Sequence, residues 1–214
     1  MPKIINKIIK IMVASDFVLN LGWGLLGPVF AIFIVQNITT GNSAEAAKVA
    51  GFATFCYWAV KSALQIPISM HLDKNSGEKD DFWFMVAGMF IAGFIPIGYL
   101  FSYASWHIYV LQIIYAVGMA MAIPPWLAIF TRHIDKGKEA LEWGAESTFL
   151  GAGAGIAGGI GGLVVATFGF ATLFIFVSCF TFLAVALLLF IKNDISPKNK
   201  ETKAVHTVRP IVEP

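Results

Sequence analysis

Apolar positions fall along this chain in six long blocks, covering residues 11–35, 49–72, 82–104, 108–131, 149–168 and 172–191. Each block reaches the roughly 20 residues that a helix needs to cross a bilayer. Inside a bilayer a single segment must satisfy its own backbone polar groups, which selects the helix. The pattern therefore predicts an all-α membrane protein with six transmembrane helices. The connections are uneven. Ser105–His107 and Gly169–Ala171 leave only minimal turns, so spans 3 and 4, and spans 5 and 6, are expected to form tight antiparallel hairpins. Asp73–Asp81 and Arg132–Thr148 are longer and charged.

The ends of the chain follow other patterns. In residues 1–10, Ile4, Ile5, Ile8 and Ile9 share one helical face, and Lys3, Lys7 and Lys10 the other. That distribution suits a short amphipathic helix lying on the membrane surface. The apolar block behind it is too long for a signal-peptide core. Residues 192–214 are polar and contain Pro197 and Pro210, the composition of a disordered tail.

Charge placement adds an orientation, because Lys and Arg concentrate on the cytoplasmic side. One side holds Lys3, Lys7 and Lys10, then Lys74 and Lys79, then Arg132, Lys136 and Lys138, then Lys192, Lys198, Lys200, Lys203 and Arg209. The other side holds only Lys48, and Lys61 lies within span 2. Both termini are expected in the cytoplasm, with the chain a multi-pass protein of the inner or plasma membrane.

Composition excludes several classes. Hydrophobic residues make up 57% of 214 positions and charged residues 13%, against about 25% charged in a soluble domain. No soluble domain is expected beside the spans. A net charge of +2 does not suggest a nucleic-acid partner. Cys56 and Cys179 sit in apolar blocks, which favours packing over a disulfide. His71, His107, His133 and His206 lie at or outside span ends with no ligand spacing, so no metal and no other cofactor is expected. No Ser/His or Cys/His pair recurs within spans, and no carboxylate pair stands at helical spacing inside one, so no enzyme is expected. Asn37-Ile38-Thr39 matches a glycosylation sequon, a pattern short enough to arise by chance.

Ionisable groups at membrane depth are costly and tend to face a cavity or a partner. Lys61 lies near the middle of span 2, on a stripe with Thr54, Tyr57, Trp58 and Gln65 at helical spacing. It reads either as part of a site for an anionic or polar ligand or as a structural lysine bonded to backbone carbonyls. Asp16 aligns with Asn20, Trp23 and Gly27 in span 1. It reads as a proton carrier or gate residue, or as a solvated residue near the headgroups. At 1.5 Å rise per residue Lys61 lies roughly 9 Å deeper than Asp16, so any link between them is expected to pass through water. Gln112, Tyr115 and Met119 share a face of span 4.

Pro28 is the 18th residue of span 1, and Pro124 and Pro125 are the 17th and 18th of span 4. Interruptions at matching positions suggest two inverted three-helix repeats with a site near the broken helices. Span 5 carries Gly151, Gly155 and Gly159 on one face and Ala154, Gly158 and Gly162 on another. Small faces of this kind let helix backbones approach closely. No strand pattern precedes the run, so it does not read as a dinucleotide-binding loop.

These features together resemble the major facilitator superfamily of secondary transporters, over residues 11–191. The segment Ser69-Met70-His71-Leu72-Asp73-Lys74-Asn75-Ser76-Gly77-Glu78-Lys79 is similar to that family's loop motif, Gly-x-x-x-Asp-Arg/Lys-x-Gly followed by basic residues. Asp73 and Lys74 match its acidic–basic pair. Ser69 replaces the glycine, Gly77 comes one residue late, and Glu78 replaces a basic residue. The glycine-rich span 5 resembles the family's antiporter motif, with Ile156 where proline is usual and the last Gly pair out of register. Asp135-Lys136-Gly137-Lys138-Glu139 and Trp143-Gly144 resemble the inner loop before span 5.

The resemblance implies two six-helix halves around a central solute, and this sequence holds one. With Met1 at its start and a polar tail, it is expected to be a complete half-size transporter. The resemblance then implies a homodimer of two copies in the lipid bilayer, working by alternating access on a small polar or anionic solute. Spans 1 and 4 would line the cavity, 2 and 5 the interface, and 3 and 6 would face lipid. It also implies that Asp73 acts as a gate, capping the start of the partner's span 5 at Ser147–Phe149. The alternatives are a binding or assembly subunit that pairs with a different membrane protein, and a truncated product of a longer gene.

Overall fold

The computed structural model describes residues 5–74 and 77–195. Helices cover all six expected spans, and no strand occurs among the described residues. Span 1 consists of α1 (Lys7–Leu26), α2 (Phe30–Phe33) and a π-helical turn (Ile34–Ile38). Spans 2, 3 and 4 are α3 (Ser43–Lys74), α4 (Glu78–Leu100) and α5 (Ser105–His133), and α6 (Glu139–Leu189) holds spans 5 and 6. By length and composition α1, α4, α5 and α6 can cross a membrane. α3 has the length, at 32 residues, but Thr54, Lys61, Ser62, Gln65 and Ser69 dilute its apolar character.

Local chemistry sets the breaks. Asn6 caps α1, its Oδ1 accepting the Ile9 N–H at 3.0 Å and satisfying one of the free donors of the first turn. Residues 7–10 are therefore the first turn of α1. Nothing between Lys10 and Ile11 breaks the helix, and Ile9 is buried in one cluster with Leu188 and Ile191. Residues 1–4 of the expected surface segment lie outside the described residues. At its far end α1 stops at Gly27-Pro28, where Pro28 has no N–H to offer. The π turn then closes with Thr39 N–H donating to Ile34 O at 3.0 Å.

Pro124 and Pro125 behave differently, because α5 runs through both without interruption. Of the two expected proline breaks only the first interrupts its helix. Pro28 follows glycine, a weak helix former, whereas the pair in α5 is flanked by Ile123 and Trp126.

Spans 5 and 6 meet at Gly169, whose φ of 78° and ψ of 172° interrupt α6. Glycine adopts a positive φ without Cβ strain. The chain reverses at this one residue. Gly153 packs on Phe17 and Gly161 on Leu25, so residues 139–168 run parallel to α1. Ser15 Oγ donates to Ala184 O at 2.9 Å, and Phe33 meets Phe170, so residues 170–189 run antiparallel to it. A Cβ on Gly161 would collide with the Leu25 carbonyl, so glycine is what allows this approach.

α5 is the centre of the other half. It pairs antiparallel with α4, Gly88 against Gly118 and Gly98 against Leu111. It pairs parallel with α3, Phe52 against Tyr109 and Tyr57 against Tyr115. α4 closes the bundle against the second part of α6, where Phe90, Phe94 and Gly93 surround Phe182.

One end of the bundle gathers the charges. Arg132 at the end of α5 donates to Asp81 at 2.5 Å and lies 3.6 Å from Glu78, both in the first turn of α4. Asn6 Nδ2 donates to His133 O at 2.5 Å and to Asp135 Oδ1 at 3.2 Å, tying α1 to the loop before α6. Of the expected tail, residues 192–195 are described. Lys7 pairs with Asp194 at 2.7 Å, and Lys192 Nζ lies 5.2 Å from the Trp83 ring centroid. Oppositely charged and aromatic partners hold these residues, and 196–214 lie outside the described residues.

Candidate functional site

Span 1 and span 4 face each other across a cavity of about 310 Å³. α1 contributes Asp16, Asn20 and Trp23 to its wall, α5 contributes Tyr115, Met119 and Trp126, and α6 contributes Glu146 and Leu150. Four of the sequence-predicted residues, Asp16, Asn20, Trp23 and Tyr115, thus come together. The 4-3-4 spacing in span 1 puts the first three on one helical face, and that face meets α5.

The wall is ordered by direct contacts. Asn20 Nδ2 donates to Asp16 O at 2.8 Å and stands 3.4 Å from Asp16 Oδ2, which holds both side chains toward the cavity. Glu146 lines the same cavity as Asp16. Trp23 stacks on Tyr115 with ring centroids 4.3 Å apart and planes 16° from parallel. Tyr57 stacks on Tyr115 from the α3 side at 5.1 Å and 26°. Three rings from three helices therefore form one continuous stack. The Trp23 Nε1–H is buried without a partner among the described residues.

Lys61 is not on the cavity wall. It is 8% exposed, with Nζ 4.6 Å from the Trp58 ring centroid and 5.6 Å from that of Tyr57. Cation–π contact of this kind stabilises an ammonium away from water. Among the lining residues of the cavity there is no Lys, Arg or His. Gln112 is also elsewhere, donating to the Tyr99 hydroxyl at 3.0 Å.

Gln65 and Asp73 line a second cavity, again about 310 Å³, together with Ser69, Asp81, Pro124 and Arg132. Asp73 is exposed at the end of α3. The expected gate partner at Ser147–Phe149 is not a helix start, because α6 begins at Glu139. The N–H groups of 147–149 are inside a continuous helix and offer no free donors for a cap. The acidic first turn of α6, with Glu139 and Glu142, already occupies its true N-terminus.

Near that N-terminus two carboxyls are pushed in opposite directions. Side-chain hydrogen bonds from Asn6 and Lys138 hold Asp135 below the usual carboxylate range. Burial pushes Glu142 up. Glu142 is 0% exposed, accepts the Asp135 N–H at 3.2 Å through Oε2, and leaves Oε1 unpartnered among the described residues.

Gly151, Gly155 and Gly159 face away from α1 and are exposed, with nothing within 4 Å of a Cβ built on any of them. The opposite face, Gly153, Ala157 and Gly161, takes the contact with α1.

Glu146 and Trp126 are wall residues that the apolar pattern did not single out. Glu146 fell in what reads as a loop, although Glu142, Glu146 and Leu150 stand at four-residue spacing and so share a helical face. That spacing was the available signal.

No curated protein matches the chain. The sequence profile of the Major Facilitator Superfamily matches residues 12–213, nearly the full length. With an all-helical bundle of six span-length segments and a cavity between the first and fourth of them, the chain belongs to the Major Facilitator Superfamily of membrane transporters.

Proposed function

We propose that the protein is a secondary transporter that acts as a homodimer of six-helix halves, moving a small polar solute by alternating access. The observation that carries this reading is the pair of open faces beside the cavity. α3 turns Gly51, Phe55 and Trp58 outward, and α6 turns Gly151, Gly155 and Gly159 outward. Small and aromatic residues on unpartnered helix faces favour close helix–helix contact in a membrane. A second copy meeting these faces would complete the cavity wall that Asp16, Asn20, Trp23 and Tyr115 begin.

The packing supports two inverted three-helix repeats. Span 1 packs on spans 5 and 6, as span 4 packs on spans 2 and 3, and span 3 meets span 6. Exchanging 1 with 4, 2 with 5 and 3 with 6 maps these contacts onto one another. Rocking of such halves about a central site is the motion that repeats of this kind support. The Lys and Arg distribution supports cytoplasmic termini in an inner or plasma membrane. Lys61, against Tyr57, serves this reading as a brace for the aromatic stack.

The test is native mass measurement of the purified protein together with solute counterflow in proteoliposomes. A dimer that carries solute is expected. A chain that stays monomeric, or that purifies only with a different membrane protein, overturns the homodimer and favours an assembly subunit.

A further inference from the structure

The cavity between α1 and α5 has a chemistry that its position alone does not dictate. Its charged wall residues are Asp16 and Glu146, both acidic, and no basic side chain among the described residues lines it. The two carboxyls share one wall, and acidic groups at membrane depth tend to face a cavity or an opposite charge. The rest of the wall is soft and aromatic. Trp23, lying flat on Tyr115, and Trp126 supply π surface, and Met119 a polarizable thioether. An aromatic face attracts cations through its negative quadrupole, so both parts of the wall select the same charge. The volume of about 310 Å³ suits a compact organic molecule. Lys61, the residue that suggests an anion in the sequence, is not among the wall residues and lies against Trp58 and Tyr57.

We propose that this cavity takes an organic cation, a protonated amine on an apolar or aromatic body, with the ammonium held by Asp16 and Glu146 and the body laid along Trp23, Met119 and Trp126. The inference rests on reading the cavity as the solute site and names the class of solute. An ammonium has three donors, enough to reach both carboxyls and the Asn20 side-chain oxygen. The apolar body replaces water against the rings.

The experiment is calorimetric titration of the full-length protein in detergent with three probes of one shape: phenethylammonium, phenethyl alcohol and phenylacetate. Phenethylammonium is expected to bind at least ~10-fold more tightly than either of the others. Asp16→Asn and Glu146→Gln keep shape and remove charge. Each is expected to weaken the cation ~10-fold and leave the alcohol unchanged. Should either variant fail to fold, by size exclusion, the charge selectivity of the unaltered protein decides alone. Phenylacetate binding as tightly as the cation, no binding of any of the three, or an unchanged cation affinity in the folded double variant overturns the proposal. Cation-selective binding without counterflow would overturn the transport reading and leave this one standing. Counterflow with a charge-blind cavity would do the reverse.

Discussion

Glu142 and Asp135 meet through one backbone hydrogen bond, yet they answer pH in opposite senses. Burial raises Glu142 above the ordinary Glu value, so folding favours its protonated form. Its contribution is fully present below the unfolded value of about 4.3 and is lost as pH rises through the raised value. Asp135 is lowered by the hydrogen bonds from Asn6 and Lys138, so folding favours its ionised form. Its contribution is present above the unfolded value of about 3.9 and is lost as pH falls through the lowered value. The junction of α1, α5 and α6 should therefore be firmest where Glu142 is still protonated and Asp135 already ionised. Glu142→Gln retains an acceptor for the Asp135 N–H and removes the buried charge. It is expected to raise the thermal midpoint at pH 7, with the gain shrinking toward pH 4. Midpoints measured across that range check it, and an equal gain at both ends would mean that the charge is not the cause. Arg132 works at the same end with the opposite consequence. Asp81 is 1% exposed and is bonded to it at 2.5 Å. Arg132→Ala leaves a buried carboxylate without that partner and is expected to cost about 3 kcal/mol, read from denaturant unfolding in detergent.

At the scale of the helices, the apolar blocks were legible because a bilayer demands one long apolar segment per crossing. The reversal at Gly169 was legible too, since three residues leave room for nothing else. Helix starts were not. The polar stretch before Phe149 reads as a loop, yet α6 begins at Glu139, because helical propensity, the buried Glu142 and the half-buried Trp143 decide there and not hydropathy. That misreading also hid Glu146 and placed a helix start at Ser147–Phe149, where α6 is already under way. Within the site, helical spacing correctly grouped Asp16, Asn20 and Trp23. It could not tell that Lys61 would lie off the cavity wall, against Tyr57 and Trp58 of its own helix, because which face meets α5 is a tertiary fact. The same limit applies to the glycines of span 5. Their periodicity marks two small faces and cannot say which one meets α1. The structure gives that role to Gly153 and Gly161, so Gly161→Leu should force α6 off α1. It is expected to cost about 1–3 kcal/mol or more, whereas Gly155→Leu should leave the unfolding of the single chain nearly unchanged. Parallel denaturant titrations of the two variants distinguish these cases.

The whole molecule is a bundle in which α1 and α5 each sit at the centre of three helices, and in which two outer faces remain open. If two copies meet through those faces, a cysteine at the exposed glycine stripe lies near its equivalent, and one at the buried stripe does not. Gly155→Cys is expected to cross-link into dimers with a short bifunctional reagent in membranes, after Cys56 and Cys179 are replaced by Ala, while Ala157→Cys stays monomeric. Equal cross-linking at both would point to random collision. The stack of Trp23, Tyr115 and Tyr57 has one more consequence. It couples α1, α5 and α3 through ring faces only, 4.3 Å and 5.1 Å between centroids, with no covalent or ionic tie. Any sliding of α1 along α5 must pull an indole off a phenol, which alters the indole's excited state before it alters anything else. The protein thus carries its own optical gauge of helix displacement. With the other five tryptophans replaced by phenylalanine, the emission of Trp23 would read the motion without an attached dye.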